Sequence, residues 1–482
     1  MDNISAGFFL LASLYGICVA SFLNKTAALD NGRDCWCLQT ESEAERVMGN
    51  SRCTRTLEEI QKKIDRGDVV VLTADEICNR VRRGDTIDFQ EVDVVTTATS
   101  AIMSGTYAVL SFKVTEPDVF VKANQVWING VPAHPGPCPN ERIGLLDLIV
   151  LGTSASKNDL DYGGGHLFRE LLEGNEVSVE VKTNDGTVFT TTTTIKKIPL
   201  AMLHATRNAF RNYVAFVNPG SESIDSIFHA ESFQGDLKEL TFCGCGELNP
   251  LEKDPDMKTI GVGSRVLING AQGYVTGPGT RSSKDKPNLA GFADMHGMDP
   301  AYMGGFNTAN GPDIITTWAV AIPVLDADIL RNVLKTDDQI PLNVVDVRNR
   351  VPIYKITYGD VWKPGDCAVT FSVEKCLRCE VCLVAATCPV GAVKSESGEI
   401  AFFDSQRCFN CGLCVSKCEG SAFLADLGRV PYTDGKTTIP ISLRNSNRPN
   451  AIKAARQLKN NIIDKSFTLN SPVERILFKD YK

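Results

Sequence analysis

Eight cysteines near the C-terminal end of the chain occur in two similar runs. The first run contains Cys376, Cys379, Cys382 and Cys388, and the second contains Cys408, Cys411, Cys414 and Cys418. Three cysteines spaced Cys-x-x-Cys-x-x-Cys and followed by a fourth are the ligand pattern of a two-cluster ferredoxin module. A cubane cluster needs three thiolates from one tight loop and a fourth from elsewhere in the chain. The sequence therefore predicts two 4Fe-4S clusters.

The spacing also predicts which cysteines share a cluster, because the fourth cysteine of each run serves the other cluster in such modules. The first cluster is then held by Cys376, Cys379, Cys382 and Cys418, and the second by Cys408, Cys411, Cys414 and Cys388. Two features depart from the usual pattern. Five residues rather than three separate Cys382 from Cys388, and Glu419 stands where proline is usual. We therefore expect the first run to bulge and its cluster to differ in potential.

Zinc ribbons and disulfides are the alternatives for these cysteines. Zinc needs only four thiolates and tolerates longer spacers, and 17 cysteines in 482 residues are too few for a disulfide scaffold. Free thiolates require a reducing compartment, so the sequence predicts a cytoplasmic protein. The formal net charge of -8 argues against nucleic-acid binding.

The N-terminal segment 3–24 carries no charged residue and is apolar enough for a marginal membrane span or a signal peptide. Asp2 does not suit a signal peptide, which begins with basic residues. A span would place the rest of the chain in the cytoplasm, because Lys25 and Arg33 follow it. A third interpretation is that translation begins at Met48. Membrane association is therefore predicted only through this segment.

Residues 54–365 have the patterns of a large mixed α/β (α+β) domain rich in hairpins. Thr56 and Thr73 can cap amphipathic helices, and Asn129-Gly130, Asn184-Asp185-Gly186 and Asn269-Gly270 are hairpin signals. We divide the chain into an extension at 1–53, this domain, a ferredoxin-like domain at 366–428, and a basic tail with a helix at 429–482. The tail has 11 basic and 4 acidic side chains, which suit either contact with the anionic clusters or a solvated helix.

Cys138 is a candidate reactive thiol in a loop that three prolines and a glycine make rigid. His134 and Arg142 flank it, and a helix is predicted to begin near Arg142. Positive charge and a helix start both raise the thiolate fraction of a cysteine. A small buried hydrophobic role is the alternative.

Several glycine loops and arginines are candidates for binding an anion. Gly163, Gly164, Gly165 and His166 open a predicted helix whose N–H groups suit a carboxylate, sulfonate or phosphate. Arg207 and Arg211 are predicted on another helix, where either could clamp an anion or hold a surface carboxylate. Arg281 follows a glycine loop. Residues 96–106 are small and rich in hydroxyls, which favours either a loop close to a ligand or tight packing. The glycines at 261–263 lack the rest of a dinucleotide fingerprint, so nicotinamide binding is rejected.

Five separated stretches together resemble the homocysteine-biosynthesis family of sulfur-incorporation proteins, in the methanogenesis marker 16 branch, which carries a C-terminal ferredoxin module. The resemblance covers about residues 54–465 and lies in residues 95–99, 135–142, 162–166, 244–251 and 259–265. Relatives in this family carry a cysteine directly after the residue matching Met103, where this chain has Ser104. The resemblance therefore implies that another thiol, Cys138 or Cys245, carries the sulfur. The rigid loop, Arg142 and the predicted helix start favour Cys138 over Cys245.

The family resemblance implies an L-aspartate semialdehyde sulfurtransferase-like enzyme. The expected reaction is reductive thiolation of a small anionic aldehyde, with aspartate semialdehyde as first candidate and sulfoacetaldehyde, which would give coenzyme M, as second. The implied partners are the aldehyde, a sulfide or persulfide donor and a low-potential electron donor. A non-catalytic electron-transfer or cluster-delivery protein is the alternative, and a membrane-bound electron-transfer subunit is a third reading.

Overall fold

The structure is a computed structural model of the chain. It describes residues 54–139, 141–211, 213–362, 368–433 and 435–478. The apolar segment 3–24 and the extension predicted at 1–53 lie outside these residues. In the part of the chain that is described, no helix combines the length and apolarity needed to cross a membrane.

Eight α-helices are described. They are α1 (Leu57–Arg66), α2 (Ala74–Arg82), α3 (Gly164–Leu172), α4 (Pro250–Lys253), α5 (Ala327–Val333), α6 (Leu383–Thr387), α7 (Leu413–Lys417) and α8 (Arg448–Ile463).

Strands are the main regular structure of the described chain between α1 and α6, and the first nine of them lie in one large sheet. These are β1 (Val71–Thr73), β2 (Val94–Ile102), β3 (Thr106–Lys113), β4 (Ala123–Ile128), β5 (Val131–Pro135), β6 (Leu145–Leu151), β7 (Val177–Thr183), β8 (Val188–Thr193) and β9 (Leu200–Asn208). The middle of the chain adds β10 (Val214–Val217), β11 (Leu240–Phe242), β12 (Arg265–Ile268), β13 (Ala271–Pro278), β14 (Leu289–Asp294), β15 (Gly304–Thr308) and β16 (Gly311–Pro323). The remaining strands are β17 (Pro341–Asp346), β18 (Pro352–Thr357), β19 (Thr370–Phe371), β20 (Val393–Lys394), β21 (Phe402–Phe403), β22 (Phe423–Leu424), β23 (Arg429–Pro431) and β24 (Thr438–Arg444).

The strands form two main sheets. The large sheet has 14 strands in the order β1-β2-β16-β12-β13-β14-β9-β3-β6-β5-β4-β7-β8, with β15 paired to β16. The small sheet has six strands in the order β18-β17-β10-β11-β24-β23. The predicted mixed α/β fold, rich in hairpins, is therefore confirmed.

The local signals in the sequence correspond to observed elements. Thr56 and Thr73 each form a capping box at the start of α1 and α2. Asn129 and Asn269 adopt φ angles of 48° and 50° at hairpin turns, where the following glycine also has positive φ. These turns close β4 on β5 and β12 on β13, as predicted.

Two predicted helices are wrong. Arg207 lies on strand β9, which pairs with β3 and β14, so Arg207 and Arg211 do not share a helix. The segment at Arg142 is a single 3-10 turn, Glu141–Ile143, rather than the start of an α-helix. Arg207 lies on a strand because β9 pairs with its neighbours across the large sheet. Such tertiary pairing leaves no local signal in the sequence.

The C-terminal segment belongs to the core rather than to a peripheral tail. Strand β24 pairs in parallel with β11, and α8 packs on β1, β2 and β16. The buried face of α8 includes Ala451, Ala454, Ala455 and Leu458. Small side chains on that face allow the helix to lie close to the sheet.

The region of the eight cysteines contains two short helices and two two-stranded sheets. Strand β19 pairs with β22, and β20 pairs with β21. The five residues between Cys382 and Cys388 form α6, so the longer spacing produces a helical turn instead of the expected bulge. This region and the two main sheets belong to one compact unit, Cys53–Lys482.

We expect Ala455→Glu to destabilise the protein strongly, because Ala455 is 0% exposed and a charge would be buried against β2. The cost should be roughly 3 kcal/mol or more in the free energy of unfolding, measured by denaturant titration. The matched control is Lys453→Glu on the exposed face of α8, which should change stability by about 0.5 kcal/mol or less. Equal behaviour of the two variants would show that α8 does not pack in the core.

Candidate functional site

A tight turn at Cys243–Gly246 follows strand β11 in the small sheet. Gly244 has a φ of +104°, and a Cβ at this position would lie 2.1 Å from the hydroxyl oxygen of Tyr358. The Gly244 N–H donates to Ser446 Oγ at 2.8 Å, and the Trp362 indole N–H donates to the Gly244 carbonyl at 3.0 Å. Only glycine fits this position, and both polar backbone groups of the residue are held by buried side chains.

The two thiols of this turn have different surroundings. Cys245 is fully buried, and its Sγ lies 3.6 Å from the Ser100 carbonyl, to which it donates. Cys243 is half-buried and packs against Met103 and Tyr213. Burial raises the pKa of the Cys243 thiol to about 12, while the guanidinium of Arg350 acts in the opposite direction. Cys243 is thus the less buried thiol of this pair and the one more open to a small molecule.

Three guanidinium groups lie close together next to Cys243. Burial lowers the pKa of Arg207, and the charges of Arg281 and Arg350 lower it further. Burial also lowers the pKa of Arg350. Cys243 raises this pKa, whereas the charge of Arg281 lowers it further. Arg207 comes from β9, Arg281 from the loop after β13, and Arg350 from the loop after β17. The cluster therefore forms where loops of the large and small sheets meet.

These three arginines lack the partners that buried or crowded guanidiniums normally have. Among the described residues, none of them has a carboxylate within 4 Å, and the Nε of Arg207 is buried without a hydrogen-bond partner. Aromatic rings are their neighbours instead. Arg207 lies 4.9 Å from the ring centre of Phe210, and Arg350 lies 4.3 Å from that of Phe228. Unpaired, mutually repelling cations beside a reachable thiol suit a small anionic ligand.

The turn between β2 and β3 forms another wall of this region. A Cβ at Gly105 would lie 2.9 Å from the Cβ of Arg207, so the turn packs directly on that arginine. The exposed Ser104 donates its hydroxyl to the buried Asp313 carboxylate at 2.7 Å. Burial raises the pKa of Asp313 to about 6, with the Ser104 hydrogen bond opposing. Ser104 and Asp313 thus bring an exchangeable proton to the turn that packs on Arg207.

For the stretch 96–106 the sequence allowed either a loop close to a ligand or tight packing. In the structure this stretch is mostly strand. Its hydroxyls bond within the protein, as in the 2.7 Å contacts of Thr97 with the Val320 carbonyl and of Ser100 with Thr317. Tight packing therefore explains residues 96–102. The following turn, at Met103–Gly105, packs on Arg207 through Gly105 and on Cys243 through Met103.

Cys138 is exposed in the loop after β5. Arg142 was expected to stabilise the Cys138 thiolate, but its guanidinium pairs with the Asp118 carboxylate at 3.6 Å. The 3-10 turn at 141–143 is too short to provide a helix dipole. The physical argument that favoured Cys138 over Cys245 is therefore not supported.

The glycines before α3 are explained by packing. The N–H groups of Gly164 and Gly165 donate to the carbonyls of Ser154 and Gly152, and that of Gly163 donates to the His166 imidazole. A Cβ at Gly164 would lie 2.1 Å from the Leu151 carbonyl oxygen. Burial lowers the pKa of His166 to about 4. These four residues were predicted to bind an anion, and in this structure their N–H groups are already paired.

The remaining predicted arginines divide between two roles. Arg211 lies 4.0 Å from the Glu252 carboxylate, which corresponds to the carboxylate-holding alternative. Arg207 and Arg281 are brought together in the arginine cluster. Cys243 and Arg350 were missed by the sequence analysis. The two cysteines of Cys243-Gly244-Cys245 were a signal that could have identified Cys243. No local sequence pattern marks Arg350.

The second set of predicted cluster ligands surrounds one cavity. Its lining includes Cys388 together with Cys408, Cys411 and Cys414. In the other set, Gly420 packs against the loop of Cys376, because a Cβ there would lie 2.5 Å from the Lys375 carbonyl oxygen. The pairing of β19 with β22 thus brings Cys418 towards the first run. The N–H of Ala422 donates to Cys418 Sγ and the N–H of Asn410 donates to Cys408 Sγ, each at 3.3 Å.

This donor set fits cubane clusters in the crossed order. Within the described residues, no three potential ligands converge closely enough to hold a single metal ion. A cubane places its thiolates on different irons, so its ligands stand farther apart than those of one ion. Backbone N–H groups directed at sulfur are favourable because cluster thiolates carry negative charge.

A thiol beside an anion-binding group of arginines is an arrangement suited to an enzyme that transfers sulfur to a small acidic substrate. The family model described as "Homocysteine biosynthesis enzyme, sulfur-incorporation" matches residues 69–469. The chain belongs to this family of sulfur-incorporation enzymes.

Individual relatives agree with this assignment. A protein of Methanothermobacter thermautotrophicus named as uncharacterised is 46% identical over 86% of this chain and 94% of its own length. An L-aspartate semialdehyde sulfurtransferase of Methanosarcina acetivorans is 30% identical over 64% of this chain and 62% of its own length. A protein of the same name from Methanocaldococcus jannaschii is 28% identical over 66% of this chain and 64% of its own length. No solved structure matches the chain.

We expect three thiols outside the two cysteine runs, Cys138, Cys243 and Cys245, to differ in their rates of alkylation by iodoacetamide, measured by peptide mass spectrometry. Cys138 should react first, Cys243 more slowly because burial raises its pKa to about 12, and Cys245 only after unfolding. Ethanesulfonate should slow the labelling of Cys243 without affecting Cys138. Protection of Cys138 alone would place the anion site at the loop after β5 instead.

Proposed function

We propose that this protein catalyses reductive thiolation of a small anionic aldehyde at the Cys243–Arg207–Arg281–Arg350 site. The observation that supports the proposal is the group of three guanidiniums without carboxylate partners beside a half-buried thiol. An anionic substrate would relieve the repulsion among these cations, so its binding is favoured. The family assignment supports the sulfur chemistry.

Two substrates are compatible with this site, and different observations favour each. The names of the two sulfurtransferase relatives favour aspartate semialdehyde. The charge of the site favours sulfoacetaldehyde, because aspartate semialdehyde carries an ammonium group and no carboxylate lies within 4 Å of the three arginines in the described structure. A sulfonate, with three acceptor oxygens and no cation, fits three guanidiniums better. On the charge and geometry of the site, we therefore propose sulfoacetaldehyde as the first candidate substrate.

The reaction consumes two electrons when sulfide is the sulfur donor. The aldehyde, hydrogen sulfide, two electrons and two protons give the thiol and water. If a persulfide donor instead passes its outer sulfur to the Cys243 thiolate, two further electrons are needed, because cleavage of the S–S bond returns Cys243 to a thiol. Only a cysteine can hold sulfur in this form.

The side chains of the site have distinct roles in this proposal. The arginines bind the anionic group and orient the aldehyde towards Cys243. The Cys243 thiolate adds to the carbonyl carbon, and after the oxygen leaves as water, sulfide takes its place on that carbon and Cys243 departs as the thiolate. Arg350 stabilises the thiolate of Cys243 when its proton leaves. Ser104, bonded to Asp313, supplies a proton to the carbonyl oxygen as it departs as water. Cys245 holds the turn through its contact with the Ser100 carbonyl.

The eight cysteines of the C-terminal region would hold two 4Fe-4S clusters in the crossed order. Such clusters supply single electrons at low potential. Their protein ligands are Cys376, Cys379, Cys382 and Cys418 in one set, and Cys388, Cys408, Cys411 and Cys414 in the other. A low-potential electron donor is the implied partner.

Reconstituted anaerobic protein should convert sulfoacetaldehyde to its thiol when supplied with sulfide and a strong reductant, as identified by mass spectrometry. Cys243→Ser should lower the rate by several orders of magnitude, as loss of a covalent nucleophile does. The control Cys138→Ser should remain close to the wild type. Near-normal turnover of Cys243→Ser would mean that free sulfide attacks the bound aldehyde directly, and absence of any thiol product with all aldehydes would overturn the proposed function.

Arg350→Gln should raise the KM for the aldehyde about tenfold to a hundredfold, the effect of losing one charged hydrogen bond. Arg348→Gln is the matched control, since Arg348 lies on the same loop and donates instead to the Glu222 carbonyl. Steady-state kinetics distinguishes the two variants. An equal KM for both would remove Arg350 from the substrate site.

The anaerobic protein should bind about eight irons, because eight thiolates stand in ferredoxin order. Cys418→Ser should damage the cluster held by Cys376, Cys379 and Cys382, as judged by iron content and electron paramagnetic resonance (EPR). Loss confined to the cluster of Cys408 would contradict the crossed order.

A further inference from the structure

The segment Arg444–Ser446 touches both the cysteine region and the thiol turn. The Arg444 N–H donates to the Cys411 carbonyl at 2.9 Å. Two residues later, the buried Ser446 hydroxyl accepts the Gly244 N–H at 2.8 Å. A path of one short peptide segment and two hydrogen bonds therefore joins a cysteine of the second predicted cluster to the turn of Cys243.

Trp362 forms a parallel connection. Its ring centre lies 5.2 Å from the Arg444 guanidinium carbon, and its indole N–H donates to the Gly244 carbonyl at 3.0 Å. Trp362 is 2% exposed, so the connection is dry. Packed and hydrogen-bonded groups without intervening water give a rigid path between two sites.

The two cysteine sets differ in their position relative to this path. Cys411 is buried, and the adjacent Phe409 packs edge-on against Phe306 of β15 with ring centres 5.3 Å apart. The first run lies at the surface instead, because Leu377 is 62% exposed and Val381 is 72% exposed. We call the set of Cys388, Cys408, Cys411 and Cys414 the inner set, and the set of Cys376, Cys379, Cys382 and Cys418 the outer set.

We propose that Arg444, Ser446 and Trp362 are positioning residues that couple the inner set to the Cys243 turn, so that electrons enter at the outer set and reach the substrate from the inner one. This inference rests on the proposed function and adds the direction and route of electron flow. Two electrons arrive one at a time from the external low-potential donor. With two protons they convert the thioaldehyde, formed from the aldehyde and sulfide with loss of water, to the thiol.

The first test measures electron delivery in a single turnover. Reduced, fully reconstituted protein is freed of reductant and mixed with sulfide and sulfoacetaldehyde, and the loss of the reduced-cluster EPR signal is followed. Ser446→Ala and Trp362→Phe should each slow this reoxidation about tenfold, as expected for the loss of one hydrogen bond in the path. Iron content and ethanesulfonate binding should stay at the wild-type level, and thermal melting should fall only by the modest amount that one lost buried hydrogen bond explains.

Matched controls separate coupling from general structural damage. Ser442→Ala removes a hydroxyl from β24 that contacts His229 rather than the turn. Trp127→Phe changes a tryptophan on β4, where its ring lies under Lys157. Both controls should reoxidise at the wild-type rate. Wild-type rates in Ser446→Ala and Trp362→Phe as well would overturn the proposed route.

The second test does not require turnover. Cys418→Ser protein should retain only the inner cluster, and ethanesulfonate should alter its EPR spectrum because the anion binds next to the coupled turn. An unchanged spectrum, with ethanesulfonate bound, would show that the inner set is not coupled to the site. If no aldehyde reoxidises the wild-type protein, the proposed reaction fails, and this binding experiment still decides whether the coupling exists.

Discussion

A buried network of charges holds together the parts of the chain on which the candidate site depends. The Glu247 carboxylate is 1% exposed and accepts from Arg82 and from Arg448, the latter at 3.1 Å. Arg448 also lies 2.7 Å from Asp337. Glu247 and Asp337 exchange hydrogen bonds, each carboxylate accepting the other's backbone N–H at 2.8 and 2.9 Å. Removing one member would leave the others as uncompensated buried charges. The free-energy penalty of such a charge is far larger than the stabilisation that an intact buried pair provides.

The network matters because its members come from distant parts of the sequence and meet directly behind the thiol turn. Glu247 follows Cys245 by two residues, Arg82 ends α2, and Arg448 begins α8. Charged pairs in a dry environment have strict geometric requirements, so this network fixes the position of the turn more sharply than apolar packing would. The same charges anchor α8, whose preceding residues, Arg444–Ser446, run between the turn and the cysteine region.

The sequence was informative where structure is determined locally. Thr56, Thr73, Asn129 and Asn269 predicted caps and turns because each side chain or backbone preference acts within a few residues. The spacing of the eight cysteines predicts which thiols share a cluster, and Cys388, Cys408, Cys411 and Cys414 of the second predicted set line one cavity. The arginine site could not be read in this way. Arg207, Arg281 and Arg350 meet only because loops of two sheets adjoin, and the helix predicted for Arg207 was overridden by pairing of β9 with β3 and β14.

The choice of thiol shows the same limit. Cys138 had the better local argument, with prolines, a nearby arginine and an expected helix start, yet Arg142 pairs with Asp118 and the helix is a single turn. Cys243 had no local argument beyond its neighbour Cys245. Tertiary contacts distinguish it from the other thiols, because Met103, Tyr213 and Arg350 approach it from three other segments of the chain.

The arginine group is unfavourable in the protein without ligand, and that cost is a clue to its role. Burial lowers the pKa of Arg207, and the charges of Arg281 and Arg350 lower it further, so this repulsion opposes folding. The buried Nε of Arg207 has lost its hydration and has no hydrogen-bond partner among the described residues. Such an arrangement persists only if surrounding structure holds it in place, and here β9 and two loops fixed to opposite sheets do so. An anion placed among the arginines would remove the repulsion and pair the Nε at once. The free energy lost in folding would thereby be returned on binding, and the proposed site would favour a substrate that brings negative charge without a compensating cation.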